Sequence, residues 1–270
     1  MTKKAKTVFG TGEWASSVVN CQYGCEHDCK YCYAKASAKR HDKIKVEDWD
    51  KPFLSAGAEK KYGKRKGVIM FPTAHDITPI NIDAVIKVLH QLLGSGNDLL
   101  IVSKPHLSCI KKICDTFAGA VFDYRGQILF RFTIGSADDE VLNFWEPGAP
   151  SFEERLKSLA LAFNRGFKTS ISCEPMLDNH IEKVVEKGED YVTDSIWLGK
   201  MNSPYKRLIA NGHDDEETMK KAHQLVDDWQ CDAVIWDLYK KYKDHPKIKW
   251  KESVKKIVGI EIPTERGLDI

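Results

Sequence analysis

Between residues 67 and 199, short runs rich in β-branched and aromatic residues alternate with longer amphipathic stretches, and this alternation restricts the fold more than any other feature. "GVIMF" (67–71) precedes "NIDAVIKVLHQLL" (81–93), in which Ile82, Val85, Ile86, Leu89 and Leu93 share one helical face. "DLLIVS" (98–103) precedes "LSCIKKICDTF" (107–117), and "QILFRFTIG" (127–135) precedes "SFEERLKSLALAFNRG" (151–166). In that last helix Ser151 and Glu154 have capping-box spacing, and Gly166 stands where the helix should stop. "KTSISCEPML" (168–177) and "SIWLG" (195–199) read as two more strands. Parallel neighbours need crossovers of about helical length, so strands separated in this way predict a parallel sheet. With a first strand at "ASSVVN" (15–20) there are about six βα units, too few for a closed eight-fold barrel. The expected fold is therefore an α/β partial (β/α)6 barrel of the TIM type over 1–205. A helical or irregular C-terminal extension, 206–270, is expected to pack on it.

The 42% hydrophobic content is enough for a core, and a formal charge of +2 gives no bulk attraction to polyanions. Any affinity for nucleic acid must come from local patches. One is the Gly- and Lys-rich insertion 47–67, which ends in Lys60, Lys61, Lys64, Arg65 and Lys66. A second, 239–256, has eight lysines against Asp244 and Glu252, with Tyr239, Tyr242 and Trp250 interleaved. Either is a solvated surface or a face for a phosphate backbone and exposed bases. No apolar run approaches the ~18 residues of a membrane span and no secretory signal follows Met1, so no membrane association and a cytoplasmic location are expected. In that reducing compartment clustered cysteines indicate metal or redox chemistry before disulfides.

Four of the eight cysteines fall in "CQYGCEHDCKYC" (21–32), directly after the first strand, where the reactive groups of a barrel collect. Three, three and two residues separate them, whereas a structural zinc site uses two close pairs joined by a longer loop. Without Cys21 the pattern is Cys25-x3-Cys29-x2-Cys32, which resembles the signature of the radical S-adenosylmethionine (SAM) superfamily. The resemblance implies a 4Fe-4S cluster on these three thiolates with one iron left open for SAM. One-electron reduction then yields a 5′-deoxyadenosyl radical that abstracts hydrogen. An electron donor such as flavodoxin or ferredoxin is implied as a partner.

"NCQYGCEHDCKYCYAK" together with "FWEPGAPSFEERLKSLALAFNRGFKTSI" (144–171) narrows the resemblance to the spore photoproduct lyase family and its uncharacterised relatives. That family implies an adenine-side role for Tyr31 and a hydrogen-relay role for Tyr33. Thr73 and Asp76 in "PTAHD" are expected near the methionine amino group, with His75 facing cofactor or substrate. Lys104 is expected at the methionine carboxylate, and Ser136 and Glu174 at ribose or substrate. The lyase's hydrogen-donating cysteine has no counterpart in "FPTAHDIT" (71–78), so its thymine-dimer reversal does not carry over. Cys173 is either an inward-facing substitute or a buried structural thiol. Lys200 and Asn202, after the sixth strand, are candidate substrate contacts or structural bridges.

The leading expectation is radical SAM chemistry on a nucleobase or nucleotide, within DNA or RNA or free. The same chemistry on a peptide or small molecule, and a zinc-stabilised nucleic-acid-binding module, are the alternatives.

Overall fold

The computed structural model describes residues 7–119, 121 and 123–268. The strands of its main sheet are β1 (Ser17–Val18), β2 (Ile69–Phe71), β3 (Leu99–Ser103), β4 (Ile128–Thr133), β5 (Lys168–Cys173), β6 (Ile196–Leu198) and β7 (Ile248–Trp250). They lie side by side in chain order and every pair is parallel. The helices are α1 (Tyr33–Arg40), α2 (Ile82–Gly94), α3 (Leu107–Phe117), α4 (Asp139–Trp145), α5 (Phe152–Asn164), α6 (Glu182–Gly188), α7 (Pro204–Ala210), α8 (Glu216–His223), α9 (Asp232–Tyr242) and α10 (Glu252–Val258). Among the described residues β1 and β7 do not pair, so this partial TIM-type barrel is open between its first and last strands. No described helix is long and apolar enough to cross a membrane.

Period-two alternation sorts the strand residues into two layers. Phe130, Phe132, Ile171, Cys173, Ile196 and Leu198 join the core between sheet and helices. Met70, Leu100 and Trp197 face the other way and cluster with Trp14 inside the barrel. Arg131 also points inward. Its Nε donates to Ser170 Oγ at 2.9 Å, and its guanidinium lies 4.8 Å from the Trp14 ring and 5.4 Å from Trp197. A wholly buried guanidinium is tolerable only with such partners, and Asp194 supplies the counter-charge at 3.3 Å.

The helices expected at 81–93, 107–117 and 151–166 form within a residue or two of those bounds. The capping box is one-sided. Ser151 Oγ accepts from Glu154 N at 3.3 Å, but the Glu154 carboxylate reaches away to accept from Leu107 N at 2.9 Å.

Where six strands were expected, the main sheet has seven among the described residues. β7 lies in the lysine-rich stretch 239–256, where its alternation is short and masked. Ile248 and Trp250 are buried toward the helices, while Lys249 Nζ sits 5.6 Å from the inner Trp197 ring. Tyr242 is buried in α9 and Lys251 wholly buried after β7, whereas Lys240, Lys241, Lys243 and Lys256 are exposed. In the basic end of the 47–67 insertion, Lys60, Lys61 and Lys66 are exposed, while Lys64 and Arg65 are tied to the sheet. Arg65 N donates to Asn97 Oδ1 at 2.8 Å and Lys64 Nζ to Gly96 O, at the amino end of β3 and away from the strands' carboxyl ends.

Candidate functional site

A cavity of about 550 Å³ opens at the carboxyl ends of the strands, and Cys25, Cys29 and Cys32 all line it. Their loop is held from three sides. Cys25 N donates to Trp49 O at 2.8 Å, so the insertion that interrupts the βα pattern buries Trp49 as a support for this loop. Gly24, at φ +79°, allows the approach, since a Cβ there would lie 2.7 Å from Trp49 O. From the Glu146–Ser151 side, Gly148 N donates to His27 O at 3.1 Å and Lys30 N to Trp145 O at 2.9 Å. Just after α7, Asn211 Nδ2 donates to the Lys30 and Cys32 carbonyls, both at 2.9 Å. Cys32 then caps α1, its Sγ accepting from Lys35 N at 3.4 Å.

Asp76 organises the wall beside the thiols. Its Oδ1 accepts from Lys104 N at 2.7 Å and Ser103 Oγ at 3.0 Å, and its Oδ2 pairs with His27 Nδ1 at 2.9 Å and Lys104 Nζ at 3.5 Å. Burial acts to raise this carboxyl, but the Lys104 and His27 charges outweigh it and hold Asp76 well below the usual carboxylate range. Lys104 also lies 3.9 Å from Glu146, a wholly buried carboxylate bound to Arg155 at 2.6 Å and to the Tyr31 hydroxyl. Burial would lower the Lys104 ammonium, yet Asp76, Cys29, Tyr31 and Glu146 together push it well up, so it stays charged.

Tyr31, Tyr33, Thr73, His75, Asp76, Lys104, Glu174, Lys200 and Asn202 all line the cavity. Tyr33 is half-exposed at its rim and donates to Thr73 O. The Thr73 hydroxyl accepts from Asn20 Nδ2 at 2.9 Å. His75 is buried with Nε2 accepting from Cys21 N at 3.2 Å and Nδ1 3.0 Å from Asp76 O, so both ring nitrogens are engaged within the wall. Glu174 approaches Lys251 at 3.4 Å, and burial raises its carboxyl. Lys200 Nζ is 3.8 Å from Asp232, and Asn202 Nδ2 donates to Glu252 at 3.3 Å.

Two expected site residues lie elsewhere. Cys173 is wholly buried among helix-facing residues; parity on β5 turns it out with Ile171, and Ser172 takes the cavity-facing position. Ser136 is buried outside the cavity lining, donating to Asp178 and accepting from Asp138 N at 2.9 Å. Cys21 is buried off the cavity. Arg207 and Glu252 of the C-terminal segment line the cavity without having been expected there. No motif marked them.

The donors suit a 4Fe-4S cluster. All three thiols are free of disulfides and face one space. Burial pushes each of them up, so cluster assembly must release their protons. The competing set for a single ion, Cys25, His27 and Asp76, has donor atoms within 4.8 Å of one another, but its histidine and aspartate are already paired.

The Radical SAM superfamily model matches residues 19–187. Among curated proteins, the uncharacterized protein MJ0683 of Methanocaldococcus jannaschii is 26% identical over 173 residues, 62% of this chain and 63% of that protein. The chain thus spans less than two thirds of that relative's length. Two solved structures share the fold. Spore photoproduct lyase complexed with dinucleoside spore photoproduct has a TM-score of 0.54 at 17% identity, over 92% of this chain and 79% of that one. Streptococcus suis SuiB bound to precursor peptide SuiA has a TM-score of 0.53 at 11% identity, over 93% of this chain and 54% of that one. With the family match covering more than half of the sequence and a thiol trio facing the barrel cavity, the chain belongs to the Radical SAM superfamily, whose cofactors are a 4Fe-4S cluster and SAM.

Proposed function

We propose that the protein is a radical SAM enzyme that abstracts hydrogen from a nucleobase or nucleotide, free or within DNA or RNA. The observation that carries this reading is the junction of the thiol-lined cavity with an outer groove of about 460 Å³ that shares Tyr33, Ala34, Trp49, Thr73 and Ala74 with it. Tyr23 lines the groove and packs 5.7 Å from the half-exposed Phe53, while Tyr33 stands at the entrance. Exposed aromatic faces leading to a reactive cavity suit planar bases, which stack on them at about 1–3 kcal/mol each.

Cys25, Cys29 and Cys32 would hold the cluster. When bound, the cluster and SAM would supply one-electron chemistry for hydrogen abstraction, the cluster's electron being spent in cleaving SAM. Asp76 and Lys104 orient polar groups near the thiols, and the Tyr31–Glu146–Arg155 array closes that wall to water. Tyr33, at the junction, is placed to return a hydrogen atom. An electron donor such as flavodoxin or ferredoxin would serve as reductant.

The test is anaerobic reconstitution with iron and sulfide, then reduction with SAM present and assay for 5′-deoxyadenosine. Zinc uptake without iron, and no 5′-deoxyadenosine, would overturn the radical reading. Oligonucleotide affinity that weakens with rising salt supports the nucleic-acid substrate; salt-independent absence of binding favours a peptide or small molecule. Tyr33→Phe should retain cofactor cleavage and lose or divert product, and an unchanged product profile by chromatography removes the relay role.

A further inference from the structure

Three cations other than histidine line the cavity, and two of them are committed. Lys104 is held by Asp76 and Glu146, and Lys200 lies near Asp232. Arg207, on α7, differs. Among the described residues its guanidinium makes no hydrogen bond and no ion pair; its recorded side-chain contact is the Tyr33 ring, 5.9 Å away. The carboxylates within its electrostatic reach are engaged by another cation, Glu174 at 3.4 Å and Glu252 at 3.9 Å from Lys251. A half-buried guanidinium with five donors in a fixed fork is an expensive group to leave unmatched. Its planar geometry fits two oxygens of one carboxylate or phosphate.

We propose that Arg207 is the oxyanion-recognition residue of this cavity, receiving a carboxylate or phosphate of a bound molecule. Two sources share that chemistry: the methionine carboxylate of SAM and a phosphate on the substrate. Neighbouring Asn202 adds a neutral amide to the same wall, and Tyr33 flanks the guanidinium without competing for its N–H groups. The inference does not depend on a nucleotide substrate, because a carboxylate would occupy the fork equally well.

The experiment is calorimetric titration of the reconstituted full chain, wild type against Arg207→Ala and Arg207→Lys, with two probe pairs. One pair is SAM and 5′-methylthioadenosine, which lacks the amino-acid carboxylate. The other is thymidine 5′-monophosphate and thymidine. Arg207→Ala should weaken one oxyanion-bearing probe by about 10- to 100-fold, as for a lost charge-assisted contact, and change its uncharged counterpart by less than about twofold. Loss confined to SAM assigns the fork to the methionine carboxylate, and loss confined to the monophosphate assigns it to substrate. Arg207→Lys should recover part of the affinity, because it keeps the charge without the fork, and it reports the same split if the alanine variant folds poorly. Unchanged affinity for both charged probes overturns the proposal, as does equal weakening of charged and uncharged partners, which would make Arg207 a prop for Tyr33. Failure of the nucleotide reading alone leaves the SAM arm standing.

Discussion

Glu146 is wholly buried and satisfies Arg155, Lys104 and Tyr31 at once. Glu146→Ala would leave the buried Arg155 guanidinium with the Pro150 and Thr133 carbonyls but no counter-charge, so a loss of about 3–5 kcal/mol is expected in urea unfolding, with a smaller loss for Glu146→Gln. A cost below about 1 kcal/mol would show that Arg155 finds another partner. For the thiols, alanine at Cys25, Cys29 or Cys32 should remove the cluster's visible absorbance and the bound iron, whereas Cys21→Ala should keep both, since Cys21 is off the cavity. Iron retained in any of the first three variants would contradict the ligand assignment. At this scale the sequence was legible wherever spacing carries the chemistry, as in Cys25-x3-Cys29-x2-Cys32. It was illegible at Cys173 because one residue of strand parity decides which layer a side chain enters, and "TSISCE" does not reveal the parity when both faces of β5 are buried.

At the scale of elements, the Glu146–Ser151 run connects the end of α4 to the cap of α5 and acts as a brace for the cysteine loop. A Cβ on Gly148 would collide with Glu26 O and lie 2.9 Å from His27 Cα, both backbone atoms that cannot swing aside. Gly148→Ala should therefore displace the segment between Cys25 and Cys29 while the barrel stays intact. The expected outcome is at least a severalfold fall in iron per chain after reconstitution with an unchanged far-ultraviolet circular dichroism spectrum. Full iron loading would mean that the loop moves freely away from the run. Of the helices flanking this brace, α5 was legible because its amphipathic periodicity extends over more than ten residues, whereas α4, seven residues long, was not read from the sequence. The brace itself is a contact between loops distant in sequence, and no local pattern encodes it.

At the scale of the whole molecule, the segments before β1 and after β7 are tied together although those two strands do not pair. β7 extends the sheet beyond the six strands read from the sequence, and Lys251, which follows it, reaches Glu13 at 2.7 Å and Gly10 O at 2.9 Å in the N-terminal segment. Neither end was legible, because a three-residue strand among lysines looks like solvated surface, and a buried lysine is recognisable only once its carboxylate partners are in place. Burial raises the Glu13 carboxyl from its ordinary 4.5 to about 8, with Glu252 sharing the same ammonium. Between those two values the folded chain holds a proton that the unfolded chain has released, so stability falls as pH rises through the interval and the loss is complete above it. The window to read is about pH 7.5 to 8.5, above the range in which the unfolded chain still binds protons at His75, His106 and His213, whose folded-state values burial lowers. Thermal unfolding of the wild type should shift to lower temperature across that window. In Glu13→Gln the amide cannot ionise, so the shift should largely disappear while the hydrogen-bonding shape is kept. A slope of wild-type size in the variant would locate the linked proton on another group and leave Glu13 ionised beside Lys251 throughout.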